Sequence, residues 1–116
     1  MKDNLIQSKS FEFSLSIISS YKLLQNEREY IVSKQLLRSA TSIGANIEEA
    51  IGGQSKRDFL AKVSISLKEA RETRYWLRLL QESELTQIDV SNYQKEILSI
   101  INILSSIVKT TKTRIK

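Results

Sequence analysis

Residues 50–59 read AIGGQSKRDF and join two segments that have the apolar period of helices. Before them, small and apolar side chains recur every three or four residues over 32–50, which is typical of one face of an α-helix. The two glycines can adopt the left-handed conformation that often closes a helix. Ser55 and Asp58 have the spacing of a capping box, in which the Ser hydroxyl accepts an amide of the first turn. The sequence therefore predicts two long helices joined by a very short connection.

The same period predicts two further helices, one on each side of this pair. The four predicted helices cover residues 8–25, 29–51, 55–83 and 87–112. In the first helix, Phe13, Ile17, Tyr21 and Leu24 form the inward stripe, and three more apolar residues widen it: Phe11, Leu15 and Ile18. A second capping box, formed by Thr86 and Asp89, is predicted to start the fourth helix.

The length of 116 residues fits a single domain. The chain has no proline and only 3 glycines, so few residues interrupt a helix. Connections as short as the one at residues 50–59 force consecutive helices to lie antiparallel. We therefore predict an all-α fold in which residues 1–116 form one antiparallel, up-down-up-down four-helix bundle.

The composition removes most routes to catalysis. The chain has no cysteine and no histidine. Disulfides, thiolate nucleophiles, zinc sites of the Cys/His kind and any mechanism that requires an imidazole are therefore excluded. Carboxylate-bridged metal centres in helical bundles use a Glu-x-x-His motif, which a chain without His cannot supply. We therefore predict a protein that is not an enzyme, with no catalytic residue, no cofactor and no metal.

The chain has no segment suited to a membrane. No apolar run approaches the roughly 20 residues that a membrane-spanning helix needs. The first residues, MKDN, also lack the apolar centre of a secretory signal. The expected location is cytoplasmic, with no membrane partner.

Positive charge is concentrated in two places. The net charge is +5, of which residues 109–116 supply +4. A second group of basic residues falls within roughly a quarter-turn of the third helix on a helical wheel. The candidate phosphate-binding residues are Arg57, Lys68, Arg71, Arg78, Lys109, Lys112, Arg114 and Lys116. Few aromatic residues accompany them, so binding to RNA or DNA would show little sequence selectivity. The alternative is that these side chains are only solvated, and that those near the C-terminus complement a helix dipole.

The third helix also carries apolar residues outside its inward stripe. Ile65, Trp76 and Leu79 fall on a different side of the wheel from the predicted core residues Val63 and Leu67. Large apolar side chains outside a core commonly mark an interface. We therefore predict a homo-oligomer with its interface at these three residues. The alternative is that Trp76 covers a groove to a neighbouring helix of its own chain.

Arg38 of the second helix and Glu69 of the third lie at the same height when both are counted from the glycine connection. We predict a partly buried ion pair between them. Removing one partner of such a pair costs more stability than removing one partner of an exposed pair.

Three segments resemble signature segments of one known family. They are residues 33–50, SKQLLRSATSIGANIEEA; residues 52–59, GGQSKRDF; and residues 68–80, KEARETRYWLRLL. The chain thereby resembles the bacterial 23S ribosomal RNA intervening-sequence proteins, four-helix bundles of unsettled biochemical role for which no catalytic residue is established. The resemblance implies a protomer that assembles into a ring, often a pentamer. A similar fold occurs in the accessory variability protein of diversity-generating retroelements, a basic pentamer that binds nucleic acid and a reverse transcriptase.

Two functions fit these observations. In the first, the chain is a non-enzymatic, ring-forming bundle that contacts RNA or DNA phosphates through the basic residues. In the second, it is an oligomeric scaffold whose apolar surfaces bind another protein and never touch nucleic acid. Salt-dependent RNA binding would favour the first function. A stoichiometric protein partner that survives nuclease treatment would favour the second. A third function, that of an enzyme, would require a bound metal or cofactor in the purified protein.

Overall fold

Four α-helices and no strand make up residues 2–115 of the computed structural model, which describes side chains from residue 5 to residue 115. Their bounds are α1 Lys2–Asn26, α2 Val32–Ile51, α3 Lys56–Ser83 and α4 Ser91–Ile115. The molecule measures 48 × 21 × 21 Å. At a rise of about 1.5 Å per residue, the 28 residues of α3 span most of the long dimension.

Side-chain contacts establish the relative direction of α1 and α2. Near the start of α1, the Gln7 side-chain amide donates to the Glu48 carboxylate at 2.9 Å. Near the end of α1, Gln25 donates to the Ser33 hydroxyl at 3.0 Å. Ascending residue numbers of α1 therefore meet descending numbers of α2, so the two helices are antiparallel.

Buried hydroxyl groups join α2 to α3. The Ser66 hydroxyl donates to the Ile43 carbonyl at 2.7 Å, and the hydroxyls of Thr73 and Ser39 are hydrogen-bonded at 2.9 Å. These contacts again pair rising with falling residue numbers. Buried polar groups cost stability unless they are paired, and no buried side-chain nitrogen or oxygen in the described residues lacks a partner.

Each helix packs against two others. α1 and α3 both contact α2 and α4, whereas no contact joins α1 to α3 or α2 to α4 in the described part of the chain. α3 and α4 are antiparallel as well, because Gln94 donates to Gln81 at one end of the pair and Arg57 lines a cleft with Lys112 at the other. The predicted four-helix bundle is therefore confirmed, with α1 and α3 on one diagonal.

The predicted inward stripes form the core. The fully buried apolar residues include Phe13, Ile17, Leu24, Leu36, Ile43, Ile47, Leu77, Leu80, Ile97, Ile100 and Leu104. Burying one such side chain stabilises the fold by about 1.5–3 kcal/mol relative to leaving it exposed. The core therefore runs along the whole bundle.

The predicted widening of the α1 stripe by Phe11, Leu15 and Ile18 is wrong, because all three side chains are exposed. At about 100° per residue they fall on the side of α1 opposite to Phe13 and Ile17. The neighbouring helices of α1 cover only its inner side. α1 is therefore apolar on both its inner and its outer side.

The left-handed C-cap predicted at the two glycines is also wrong. Gly52 has φ −80°, and neither glycine has a positive φ. The Gly53 amide donates to the Ala50 carbonyl at 3.0 Å, and a Cβ on Gly53 would lie only 3.0 Å from that oxygen. Close backbone approach is therefore what favours glycine here. A left-handed cap occurs instead at the end of α3, where Glu84 has φ 59°.

Two helices begin near their predicted starts because a side chain caps them. The Ser55 hydroxyl accepts the Asp58 amide at 3.0 Å, which confirms the hydroxyl half of the capping box of α3. The Glu29 carboxylate accepts the amides of Val32 and Ser33 at 3.0 and 2.7 Å. α2 therefore begins at Val32 rather than at residue 29, because Glu29 caps the helix from outside it.

The predicted bounds of α1 and α4 need correction. α1 begins at Lys2 rather than at residue 8, and Ile6 adds another buried turn to its stripe. The capping box of Thr86 and Asp89 is wrong, because α4 begins at Ser91, whose amide donates to Asp89 at 2.9 Å. The Thr86 hydroxyl instead accepts the Ile88 amide within the connection. α4 continues to Ile115 rather than ending at residue 112, so Lys109, Lys112 and Arg114 are helical.

Candidate functional site

The antiparallel packing brings the beginning of α3 and the end of α4 to the same end of the bundle. Four exposed cations lie there, Arg57 in the first turn of α3 and Lys109, Lys112 and Arg114 near the end of α4. We call these four residues the basic end. Lys116, the last predicted phosphate-binding residue, lies outside the described residues.

The cations of the basic end keep their charge unpaired. None of the four forms an ion pair with a carboxylate among the side chains of residues 5–115. The two carboxylates at the end of α2 have other partners, since Glu48 accepts from Gln7 and Glu49 pairs with Lys62 at 2.8 Å. Lys56 and Asp58 flank Arg57 as an exposed cation and an exposed carboxylate, so their charges offset each other and the four cations keep their excess. A positive potential therefore extends from this end into solvent.

An apolar cleft opens at the basic end between α3 and α4. Its lining consists of Leu60, Ala61 and Ile115 with Arg57 and Lys112, and its volume is about 400 Å³. Small-molecule sites have volumes of about 300–1,000 Å³. Three apolar side chains and two cations therefore face one space of ligand size, which we call the end cleft.

The remaining predicted basic residues lie along the outer side of α3. Lys68, Arg71 and Arg78 are all exposed. From the helical rise, Lys68 lies about 16 Å and Arg78 about 31 Å from Arg57 along the axis. Arg78 is partly neutralised by Glu82, at 3.5 Å. The structure thus separates the candidate residues into the basic end and a thinner line along α3.

The opposite end of the bundle is acidic, and its carboxylates are engaged in the fold. Glu27 accepts the Gln87 amide at 3.0 Å, which ties the α1–α2 connection to the α3–α4 connection. Asp89 accepts the amide of Ser91 at the start of α4. We call Glu27, Glu29 and Asp89 the acidic end. These carboxylates serve as hydrogen-bond acceptors for backbone amides.

Hydrogen bonding keeps two of these carboxylates ionised. Burial raises the pKa of Glu29, but hydrogen bonds from Ser33 and Val32 outweigh it and hold the pKa below its ordinary value. The Ser91 amide and hydroxyl likewise lower the pKa of Asp89. Both groups therefore carry a negative charge at the helix ends that they cap, where the helix dipole favours it.

The predicted pair of Arg38 and Glu69 is confirmed. Arg38 Nη1 lies 3.2 Å from Glu69 Oε2, and its Nη2 contacts the Glu72 carboxylate. The Arg38 side chain is 47% exposed, whereas Glu69 is 16% exposed. The guanidinium is therefore partly neutralised, unlike the cations of the basic end.

Trp76 belongs to the same cluster. Its indole Nε1 donates to the Glu72 carboxylate at 3.0 Å, and its ring meets the edge of Tyr75 with centroids 5.2 Å apart. Trp76 is half-buried and packs against the core, and Leu79 is half-buried too. Ile65 is 41% exposed. The three residues predicted as an oligomer interface thus present less free apolar surface than the sequence pattern indicates.

The outer side of α1 presents more apolar surface. Phe11 is 62% exposed and Leu15 is 51% exposed, and Ile18 continues the row at helical spacing. We call these three residues the α1 face. The helical wheel already places these residues on one side of α1, but their apolar character led to the prediction that they widen the inward stripe.

Two further observations bear on the predicted absences. No helix of the described residues is long and apolar enough to cross a membrane. Within the same residues, acidic side chains nowhere gather in a group of three that could hold a metal ion.

The chain matches the family described as 23S rRNA-intervening sequence protein over residues 2–106. It belongs to this family. The fold is also similar to a crystal structure from Bacteroides thetaiotaomicron, described as a protein with unknown function from the S23 ribosomal protein family. That chain is 49% identical, with a TM-score of 0.89, and the match covers 94% of the present chain and 99% of the other. None of the curated proteins compared with the chain matches it.

The family match covers most of the bundle but not the end of α4. The three segments that carry the resemblance lie in α2, in the α2–α3 connection and in α3. The matched residues end at 106, before Lys109, Lys112 and Arg114. Membership in the 23S rRNA-intervening sequence protein family therefore assigns no role to the α4 half of the basic end, which has to be argued from its own geometry.

Proposed function

We propose that this protein is a non-enzymatic, ring-forming helical bundle that contacts RNA or DNA phosphates with little sequence selectivity. The observation that carries the proposal is the basic end, where Arg57 and three cations of α4 lie together without a described acidic partner. Unpaired, exposed cations bind phosphates by releasing counterions, and such binding does not depend on base sequence. A cytoplasmic location goes with this function.

The line along α3 extends this contact. Lys68 and Arg71 are exposed and carry no described ion pair, so they can follow a phosphate backbone away from the basic end. Arg78 contributes less because Glu82 offsets its charge. The contact is therefore strongest at the basic end and weakens along α3.

Self-association is the second part of the proposal, and the α1 face supports it. A helix that is apolar on both its inner and its outer side is usually covered by other parts of the protein or its assembly on both sides. Because α1 and α3 are diagonal, a contact between the α1 face of one copy and the Ile65 side of α3 in the next would be heterologous. Heterologous contacts generate rings when the rotation closes. The resemblance to the family suggests a pentamer.

Binding to nonspecific RNA as a function of salt concentration tests the nucleic-acid part. The variant Arg57→Gln/Lys112→Gln/Arg114→Gln should bind more weakly and lower the slope of log affinity against log salt by about 0.7–0.9 for each lost contact. The matched control Lys22→Gln/Lys34→Gln/Lys95→Gln loses the same charge from exposed residues elsewhere. Absence of RNA binding at low salt, or an equal loss in both variants, would reject the proposal.

The α1 face also supports a second candidate, an oligomeric scaffold that binds another protein and no nucleic acid. An exposed apolar row on the surface of a helix is a typical protein contact. A stoichiometric protein partner that resists nuclease and is lost in Leu15→Asp, combined with no RNA binding at low salt, would establish this alternative.

A further inference from the structure

The end cleft combines two properties that simple phosphate binding does not require. Cations alone suffice to hold a phosphate backbone. Here Arg57 and Lys112 share their cleft with an apolar floor formed by Leu60, Ala61 and Ile115. The floor offers little to a phosphate, so it indicates a ligand that carries an apolar surface as well as negative charge.

A nucleotide with an unstacked base has this chemistry. The base face is a flat π surface, and contact with it is sequence-tolerant because every base has one. In a duplex the bases are stacked and their faces are not available, whereas in a single strand they are.

We propose that the end cleft receives one unstacked base of a single strand while Arg57 and Lys112 bind the phosphates on either side of it. This inference rests on the proposed function, since it names the class of nucleic acid that the basic end prefers. The consequence is a preference for single strands over duplexes, with little preference among bases.

A comparison of strands with and without bases separates the contribution of the base contact to affinity from the contribution of charge. A 12-nucleotide single strand of thymidines and a 12-unit abasic strand carry the same phosphates, so counterion release is equal for both. Because the apolar floor adds contact with a base face to the same phosphate contacts, the wild-type protein should bind the thymidine strand roughly tenfold more tightly. A duplex that contains the thymidine strand has a higher phosphate density but no exposed base face, so its binding should show the steeper salt dependence of charge contacts alone.

The variant Ala61→Gln places a bulky, neutral, helix-compatible side chain in the cleft without a change of charge. It should reduce the thymidine-to-abasic affinity ratio to about one and leave the salt slope unchanged. The matched control is Ala45→Gln, because Ala45 is also exposed but lies on α2, away from the cleft. This control should retain the tenfold ratio.

Equal binding of the thymidine and abasic strands by the wild-type protein would overturn the base contact and leave the proposed function intact. A ratio that survives in Ala61→Gln, or is lost equally in Ala45→Gln, would also overturn it. If neither strand binds at low salt, the proposed function fails and the inference fails with it.

Discussion

The two ends of the bundle use their charges differently. At the acidic end, Glu29 caps α2, Asp89 caps α4, and Glu27 ties the two connections together. At the basic end, Arg57 and Lys112 have no described acidic partner and stand beside an open apolar cleft. The acidic end therefore stabilises the fold, whereas the charge of the basic end is available for binding a ligand.

This difference separates charge that is used within the fold from charge that is available to a ligand. A charged group whose hydrogen bonds are made within the protein affects the free energy of unfolding when it is removed. An exposed cation without a partner contributes little to that free energy. The two ends should therefore respond to substitution in opposite ways, one through stability and the other through binding.

Charge reversal at the basic end should have the largest effect. In Arg57→Glu/Lys112→Glu the four residues of the basic end change from a net charge of +4 to zero, so RNA affinity at low salt should fall on the order of 100-fold. Fluorescence anisotropy with a labelled single-stranded RNA measures this loss, and urea unfolding should show no change in stability. The control Lys22→Glu/Lys34→Glu makes the same change of net charge elsewhere. An equal loss in the control would mean that net charge, rather than the basic end, governs binding.

Removal of the cap at the acidic end should have the next largest effect. Glu29→Ala leaves the first amides of α2 without their acceptor, so the free energy of unfolding should fall by about 1 kcal/mol. Urea denaturation measures the loss. RNA affinity should stay within twofold of the wild type. Glu12→Ala, which removes an exposed carboxylate from the side of α1, should leave stability almost unchanged. A loss of RNA affinity in Glu29→Ala would contradict the prediction that the acidic end affects stability and not RNA binding.

A cation that already has partners should behave like the acidic end. A double-mutant cycle with Arg38→Ala and Glu69→Ala should give a coupling of about 0.5 kcal/mol in unfolding free energy, since Arg38 is half exposed. Neither single variant should change RNA affinity by more than twofold. A coupling near zero would show that the pair does not contribute to stability.

The smallest effect concerns the charge of the Glu29 cap. Glu29→Gln keeps one acceptor and loses the charge, so it should cost about 0.3 kcal/mol at pH 7. The folded-state pKa of Glu29 lies below its ordinary value of 4.5, so the contribution of the charge is complete above that pH. It is lost as the pH falls through the lower folded-state pKa. Urea unfolding from pH 7 to pH 3 should show the gap between the two proteins closing in acid, and a constant gap would contradict this origin.

The α2–α3 pair shows how much of the fold was predictable from the sequence. Its period, its short connection and the Ser55 cap are local features, and each determines local structure directly. The pairing of Arg38 with Glu69 followed by counting from the connection. The conformation of Gly53 did not follow, because its need for glycine comes from a close approach to the Ala50 carbonyl rather than from its φ angle.

The candidate sites were only partly predictable. Arg57 and Lys112 were both selected from the sequence, but the cleft between them depends on how α3 packs against α4. The α1 face was missed because Phe11 has an apolar side chain like those of the core. Only the positions of the neighbouring helices decide which side of α1 is covered. The partial burial of Trp76 was not predictable either, because it depends on packing against the core and on the hydrogen bond from its indole to Glu72.

Hydrogen–deuterium exchange with and without a saturating single-stranded RNA tests the central claim most directly, since it reports both ends of the molecule in one experiment. We predict slower amide exchange at residues 56–61 and 108–115 when RNA is present, with no change at residues 27–33 and 84–90. Protection at the acidic end, or no change at the basic end under saturating RNA, would contradict the account.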